Sequence, residues 1–270
     1  MNTKNFFTKK RFSAAFVLLM VILSITITAF ITTRDYSPAP AIGELYLAAV
    51  IDALIIEPDE VYPLVSLAQN DPFTTWNDAG QVLLVTWNNT PELYQNGEIA
   101  AIGEYEVWAF TDREITEWYR LNKKNVTDWE LRFKQLIGLP PDTGYTHFTA
   151  MWVDTGNVLR PAYRQDVTVS NMTTGFYDDA DEVFLEWFNG NKLYSYFEKL
   201  YPWTRLGYTY DWAEGGTEYG LSEFIILPNS TVLVEFTVTT EDFLRWLESQ
   251  GEDDTANRLL CDAGLIIFYK

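Results

Sequence analysis

The first 34 residues constrain this chain more than any other part of it. Four cations, Lys4, Lys9, Lys10 and Arg11, precede 22 uncharged residues from Phe12 to Thr33, and Arg34 follows. At about 1.5 Å per helical residue the run spans roughly 33 Å, the thickness of a hydrocarbon core. Its most apolar part, Phe16 to Leu23, is short and gives way to Ser24, Thr26 and Thr28, as the core of a signal peptide does. Both readings stay open: the expectation is an uncleaved anchor, and the alternative is cleavage near Ala39-Pro40-Ala41 and secretion. The cation excess before the run places the N-terminus in the cytoplasm and the C-terminal bulk outside. The expected organisation is a basic cytoplasmic segment (1–11), a signal anchor or signal peptide (12–33), a Pro-containing linker (34–41) and an extracytoplasmic domain (42–270). The chain then sits at the cell membrane as a single-pass protein, with residues 12–33 as its membrane contact.

Charge supports the export reading. The first 34 residues hold five cations and no acid, so the remaining 14 cations face all 38 acids, a net charge of −24. Such a field repels nucleic acid and anionic lipid, so no nucleic-acid partner is expected. One cysteine, Cys261, allows no internal disulfide, which suits bacterial rather than eukaryotic export and leaves stability to packing. Ten Trp, 16 Tyr and 17 Phe are far more than a disordered segment carries, so the domain folds. Four Asn-x-Ser/Thr sequons, at Asn88, Asn125, Asn171 and Asn229, matter only in a glycosylating host.

Pattern predicts helices over 42–55, from Pro58, from Asp112 to Tyr119, and from a capping box of Thr127 with Glu130. Another helix is expected over 178–200, broken at Asn189-Gly190-Asn191, and a further one from Thr240 to Leu247. Strands are expected at 82–87, 105–110, 145–153, 205–212, 221–227 and 232–238, with a short helix near Leu259 and a last strand at 265–269. Helices interspersed with hairpins read as α+β: a single domain with a largely antiparallel sheet and flanking helices, preceded by an N-terminal hydrophobic helix.

Much familiar chemistry is excluded. A zinc site needs three or four ligands, and one His147 with one Cys261 gives no spacing motif. The acidic cluster Asp178, Asp179, Asp181 and Glu182 lacks the glycine and alternating ligands of a calcium loop and reads as a helix first turn. No metal and no cofactor is expected. Nucleophile elbows, Ser-x-x-Lys patterns and Gly-rich phosphate loops are missing from the sequence, so the reading leans away from an enzyme.

The segment from Pro202 to Trp212 stands out. As a strand it would place Leu206, Tyr208, Tyr210 and Trp212 on one face and Arg205, Thr209 and Asp211 on the other. Pairing Trp212 with Gly220 would bring Glu223 opposite Thr209, gathering Arg205, Asp211 and Glu223 on one surface. Trp203, Arg205, Tyr208, Tyr210, Asp211, Trp212 and Glu223 are therefore the candidate ligand-binding residues. An aromatic face with a few hydrogen-bonding groups suits a polar small molecule, a glycan or a peptide. The alternatives are a transferase or glycosidic-bond hydrolase using Arg205 and Glu223, and a structural surface protein.

The stretch Pro202-Trp203-Thr204-Arg205-Leu206-Gly207-Tyr208-Thr209-Tyr210-Asp211-Trp212, with Gly220-Leu221-Ser222-Glu223-Phe224, resembles a family of uncharacterised bacterial hypothetical proteins. The likeness extends back through 135–141, 151–153 and 159–161, and it implies no activity, cofactor or catalytic residue. Glu223 and the strand after it are also faintly similar to ADP-ribosyltransferase-like folds, where a strand glutamate orients the NAD ribose. Leu221 stands where that family pairs a second glutamate.

Overall fold

The computed structural model describes residues 41–250, apart from 179. The apolar run at 12–33, Cys261, the helix expected near Leu259 and the strand expected at 265–269 lie outside the described residues. No helix among the described residues is long and apolar enough to cross a membrane.

The fold is α+β. Seven strands form one antiparallel sheet in the order β2-β9-β4-β1-β3-β8-β5. In chain order these are β1 (Val82–Asn88), β2 (Ile99–Ala101), β3 (Val107–Thr111), β4 (His147–Val153), β5 (Val158–Leu159), β8 (Phe224–Ile226) and β9 (Thr231–Thr239). β6 (Tyr208–Asp211) and β7 (Glu218–Ser222) form a separate two-stranded sheet. The central strand β1 opens on four consecutive apolar residues, Val82–Val85, because both of its faces are covered. Val82 and Leu84 enter a core with Met151, Val153, Phe224 and Val234, while Leu83, Val85 and Trp87 face helices on the other side. Both edge strands, β2 and β5, are only three and two residues long, which limits edge-to-edge association.

The helices are α1 (Ile42–Asp52), α2 (Asp112–Asn122), α3 (Trp129–Leu136), α4 (Glu182–Leu193) and α5 (Thr240–Gln250). α2, α3 and α5 cover one face of the main sheet through Ile115, Trp118, Phe133, Leu136, Phe243 and Leu247. The Phe243 ring stacks on Phe148 of β4 at 4.0 Å, locking α5 to the sheet centre. α1 and α4 build a second aromatic body, in which Tyr46, Phe184, Phe188, Tyr196 and Trp203 pack together.

Several local expectations are corrected. The helix expected from Pro58 is a single 3-10 turn, Pro58–Glu60. α3 is capped by Asp128, whose carboxylate accepts the Leu131 N–H at 2.9 Å, rather than by Thr127. α4 runs unbroken through Asn189-Gly190-Asn191 and continues into a π-helix, Tyr194–Lys199, ended by Leu200 at φ 57°. Tertiary packing of Phe184 and Phe188 overrides the weak propensity of that Asn-Gly-Asn triplet.

The hairpin register also differs. β6 starts at Tyr208, since Arg205 and Gly207 are both left-handed, at φ 62° and 86°. Tyr208 pairs with Ser222 and Asp211 with Glu218, with a one-residue shift between them. A Cβ at position 220 would collide with the Leu136 carbonyl and the Thr209 side chain, so glycine lets β7 press against the end of α3. The expected strand 221–227 is two strands in different sheets. Glu223 is the single residue between them.

Candidate functional site

Glu223 owes its position to that crossover. β7 ends in the small sheet at Ser222 and β8 begins in the large one at Phe224, and the Glu223 N–H is held by the Gly207 carbonyl at 3.0 Å. The side chain is 5% exposed and lines a cavity of about 800 Å³. That volume lies in the upper range of small-molecule sites.

The cavity opens where the two sheets and α4 diverge. The end of β1 contributes Thr86, Trp87 and Asn88, and β3 with the loop before it contributes Tyr105, Glu106 and Trp108. The turn after α3 adds Ile137, Gly138 and Leu139, and Tyr145 stands before β4. Across from them, α4 presents Trp187, Gly190 and Asn191, and the π-helix presents Tyr194 and Ser195. A π-helix turns successive side chains at an unusual angle and is common at functional sites. Trp108 and Trp187 both meet the Trp203 ring edge-on, at 6.2 and 6.1 Å, so three indoles converge on one wall. Tyr105 at the rim is 81% exposed. Twelve of the lining residues are aromatic and none is Lys, Arg or His, so the walls are largely aromatic and the only carboxyl groups are those of Glu106 and Glu223.

Hydrogen-bond accounting singles out the same place. Six buried side-chain atoms among the described residues have no partner, and two of them, Glu223 Oε1 and Asn191 Nδ2, belong to residues lining this cavity. Leaving a buried polar group unsatisfied costs about 1–3 kcal/mol, so each such atom needs a reason. Burial pushes the Glu223 carboxyl well above the usual carboxylate range, and the nearby Arg160 guanidinium and Trp203 indole N–H oppose the shift without reversing it.

The structure divides the candidate residues. Trp203, Tyr208, Tyr210 and Glu223 line the cavity. Arg205, Asp211 and Trp212 do not, so the polar surface expected to join Arg205 and Asp211 to Glu223 does not form. The left-handed turn at Arg205 swings its guanidinium to the end of α1, where Nη2 donates to the Ala53 and Leu54 carbonyls at 2.8 and 3.1 Å. There it caps the carbonyls that follow α1, sharing the Ala53 oxygen with the Tyr196 hydroxyl, and lies 5.3 Å from the Tyr196 ring centroid. Asp211 is gripped by both Arg132 nitrogens, at 2.9 and 2.6 Å. Trp212 is buried and its indole donates to the Lys134 and Leu139 carbonyls. His147 touches Thr146 at the start of β4 and does not line the cavity.

Sequence reasoning missed two groups. The first is Trp108, Trp187, Asn191 and Tyr194, which reach the cavity from three separate elements; the run of aromatics in 184–197 was the only available hint. The second is the buried pair Glu114 and Arg160. Arg160 is wholly buried and donates to the Val65, Val169 and Gly207 carbonyls, with its plane 4.6 Å from the Phe224 ring centroid. Glu114, in the first turn of α2, accepts from the Tyr219 hydroxyl and from both the N–H and hydroxyl of Ser222. Burial pushes its carboxyl up to about 7. Burial likewise lowers Arg160 to about 10, and Glu114 and Glu223 support its charge.

Elsewhere, carboxylate oxygens of Asp52, Glu60 and Glu218 lie within 4.8 Å of one another. Burial and the neighbouring Glu57 and Glu218 push Glu60 up to about 7. Three oxygens of this kind could serve a divalent cation, yet the raised Glu60 and Glu218 carboxyls, which favour protonation, and the Tyr210 hydroxyl, which donates to Asp52 at 2.9 Å, account for the cluster without one.

No family model matches the chain, and no curated protein and no solved structure is significantly similar to it.

Proposed function

We propose that this domain binds a small polar ligand, a sugar or a short peptide segment, in the aromatic cavity beside Glu223. The proposal includes its setting: the apolar run at 12–33 holds the domain at the outer face of the cell membrane, or directs its secretion. The observation that carries the binding reading is the coincidence of two unpartnered buried polar atoms, on Glu223 and Asn191, with the walls of one large cavity. A polar ligand would supply the missing partners, while the indoles of Trp108 and Trp187 would cover its apolar faces. The test is tryptophan fluorescence of the full chain titrated with mono- and disaccharides and short peptides. A saturable change that weakens about tenfold or more in Trp108→Ala supports the reading. Unchanged affinity in that variant removes the cavity from consideration. Protease treatment of intact cells tests the setting, since protection of the acidic domain is incompatible with export.

A second reading is favoured by the raised Glu223 carboxyl, which suits a general acid. In a glycosidic-bond hydrolase or transferase the second carboxylate would be Glu106, the other acid lining the cavity, in place of Arg205. Release of reducing sugar that stops in Glu223→Gln would support it, whereas binding without turnover supports the binder.

A further inference from the structure

The cavity has a charge asymmetry that narrows its ligand class. Its lining holds two carboxylates, Glu106 and Glu223, and no cationic side chain. Glu223 makes no salt bridge among the described residues, and its Oε1 is buried without a partner. Arg160 does not complete it. That guanidinium spends Nη1 and Nη2 on three backbone carbonyls, and its electrostatic support comes from Glu114 as well as Glu223, so two acids share one cation. Trp203, Tyr208 and Tyr210 line the same cavity as Glu223, with the Trp203 indole beside its carboxyl and Trp108 and Trp187 packed edge-on against Trp203. Aromatic faces carry partial negative charge and attract organic cations, most strongly where water is displaced. A neutral sugar would use the rings and Asn191 but would leave Glu223 in the protonated state that burial favours, whereas a cation seated against it would stabilise the carboxylate.

Resting on the binding reading above, we propose that the ligand carries an ammonium group, seated against Glu223 and enclosed by the indole and phenol rings, with a hydrogen-bond acceptor reaching Asn191 Nδ2. An amino sugar, the amine of a peptide and a quaternary ammonium compound share this chemistry. Each pairs a soft or fully charged cation with an apolar or hydroxylated body of the size the cavity admits. The exported domain's charge of −24, from 14 cations and 38 acids after residue 34, would draw such cations towards it.

The test compares matched pairs that differ in the charge alone or nearly so: choline against 3,3-dimethyl-1-butanol, and glucosamine against glucose, with lysine methyl ester as the peptide-like amine. Each is titrated into the full chain in detergent and read by tryptophan fluorescence and calorimetry. The charged member of at least one pair is expected to bind about tenfold or more tightly than its neutral counterpart. Which pair shows it identifies the source of the ammonium. In Glu223→Gln the advantage disappears, whereas Arg205→Met, outside the cavity, retains it. Equal binding of both members overturns the ammonium assignment and leaves the cavity reading standing. Binding of the neutral sugar alone does the same. Failure of every probe at millimolar concentration overturns both. The comparison of pairs on the wild-type chain stands even where a variant does not fold.

Discussion

Glu114 and Glu223 are two buried carboxyl groups that both interact with one buried arginine, Arg160, and they differ in their hydrogen bonding. Around Glu114, three donors converge, the Ser222 N–H, the Ser222 hydroxyl and the Tyr219 hydroxyl, at 2.9 to 3.0 Å. Around Glu223 one oxygen has no donor, and the residue lines the cavity. Both carboxyls are pushed up by burial. The raised pKa therefore does not tell a structural acid from a functional one, and the accounting of hydrogen bonds does. Arg160 and Arg205 end on backbone carbonyls and belong to the scaffold, although the Nε of each is buried without a partner, so an unpartnered atom points to a ligand only where its residue also lines a cavity.

The comparison is broken most directly at Glu114. Glu114→Ala removes the acceptor of three donors, of which only the Tyr219 and Ser222 hydroxyls can still pair with each other, beside a buried guanidinium, and a loss of about 3–5 kcal/mol is expected in urea unfolding. A loss below about 1 kcal/mol would show that the Glu114 network is not what holds α2 against β7.

Gly207 probes the arginine between the two acids. Its φ of 86° is left-handed, and a Cβ there would stand 2.8 Å from Arg160 Cδ and 2.9 Å from Leu64 Cδ1. Gly207→Ala combines backbone strain with overpacking, so about 2–3 kcal/mol of stability should be lost. Because the Gly207 carbonyl also holds the Glu223 N–H, the variant should weaken any cavity ligand as well. Stability lost with ligand affinity intact would separate Arg160 from the site.

How much of this was legible beforehand follows from the range of the interactions. The strands expected at 82–87 and 232–238 and the helices expected from Asp112 and Thr240 carry a local signal in apolar period and form within a residue or two. The caps differ: Thr111 precedes α2, and the Thr239 hydroxyl accepts the Asp242 N–H of α5. The segment 203–212 was recognisable as aromatic and unusual, and half of its candidates reach the cavity. What could not be read was the left-handed pair Arg205 and Gly207, which starts β6 late and turns Arg205 away from Glu223. A pattern of period two assumes an extended backbone throughout, and one left-handed non-glycine residue defeats it. Nor could the sequence show that β7 and β8 part at Glu223, because Leu221 to Leu227 reads as one continuous strand. Trp108, Trp187 and Asn191 meet only in three dimensions, and nothing local to any of them marks it as a cavity wall.

Arg205 supplies a smaller effect. Its two hydrogen bonds to the Ala53 and Leu54 carbonyls close the C-terminal end of α1, and its guanidinium covers the Tyr196 ring. Arg205→Met keeps much of the side-chain packing and removes the donors, so a loss of about 1–2 kcal/mol is expected by thermal or urea unfolding. Ligand affinity should not change. A large drop in affinity with unchanged stability would return Arg205 to the site from which its geometry removes it.

The smallest change in stability belongs to Glu223→Gln, measured in acid. Below pH 4.5 the wild-type carboxyl is protonated in both folded and unfolded chains, and the amide matches it in shape, so the two proteins should differ by less than about 1 kcal/mol. Above pH 4.5 they should diverge in a definite direction. The unfolded glutamate releases its proton there while the folded one, with its pKa raised, retains it, so the wild type loses stability as pH rises until the folded group ionises. Glutamine does not titrate, and the variant should gain on the wild type by about 1.4 kcal/mol per pH unit across that window. Glu114→Gln removes a titration of the same sign, between 4.5 and about 7, but sets an amide N–H₂ against the Ser222 and Tyr219 donors and should be less stable in acid. Parallel urea titrations of the two variants from pH 4.5 to 8 therefore distinguish the closed carboxyl from the open one. If Glu223→Gln proves as costly in acid as Glu114→Ala, the open oxygen of Glu223 has a partner holding the fold together, and the cavity loses its polar anchor.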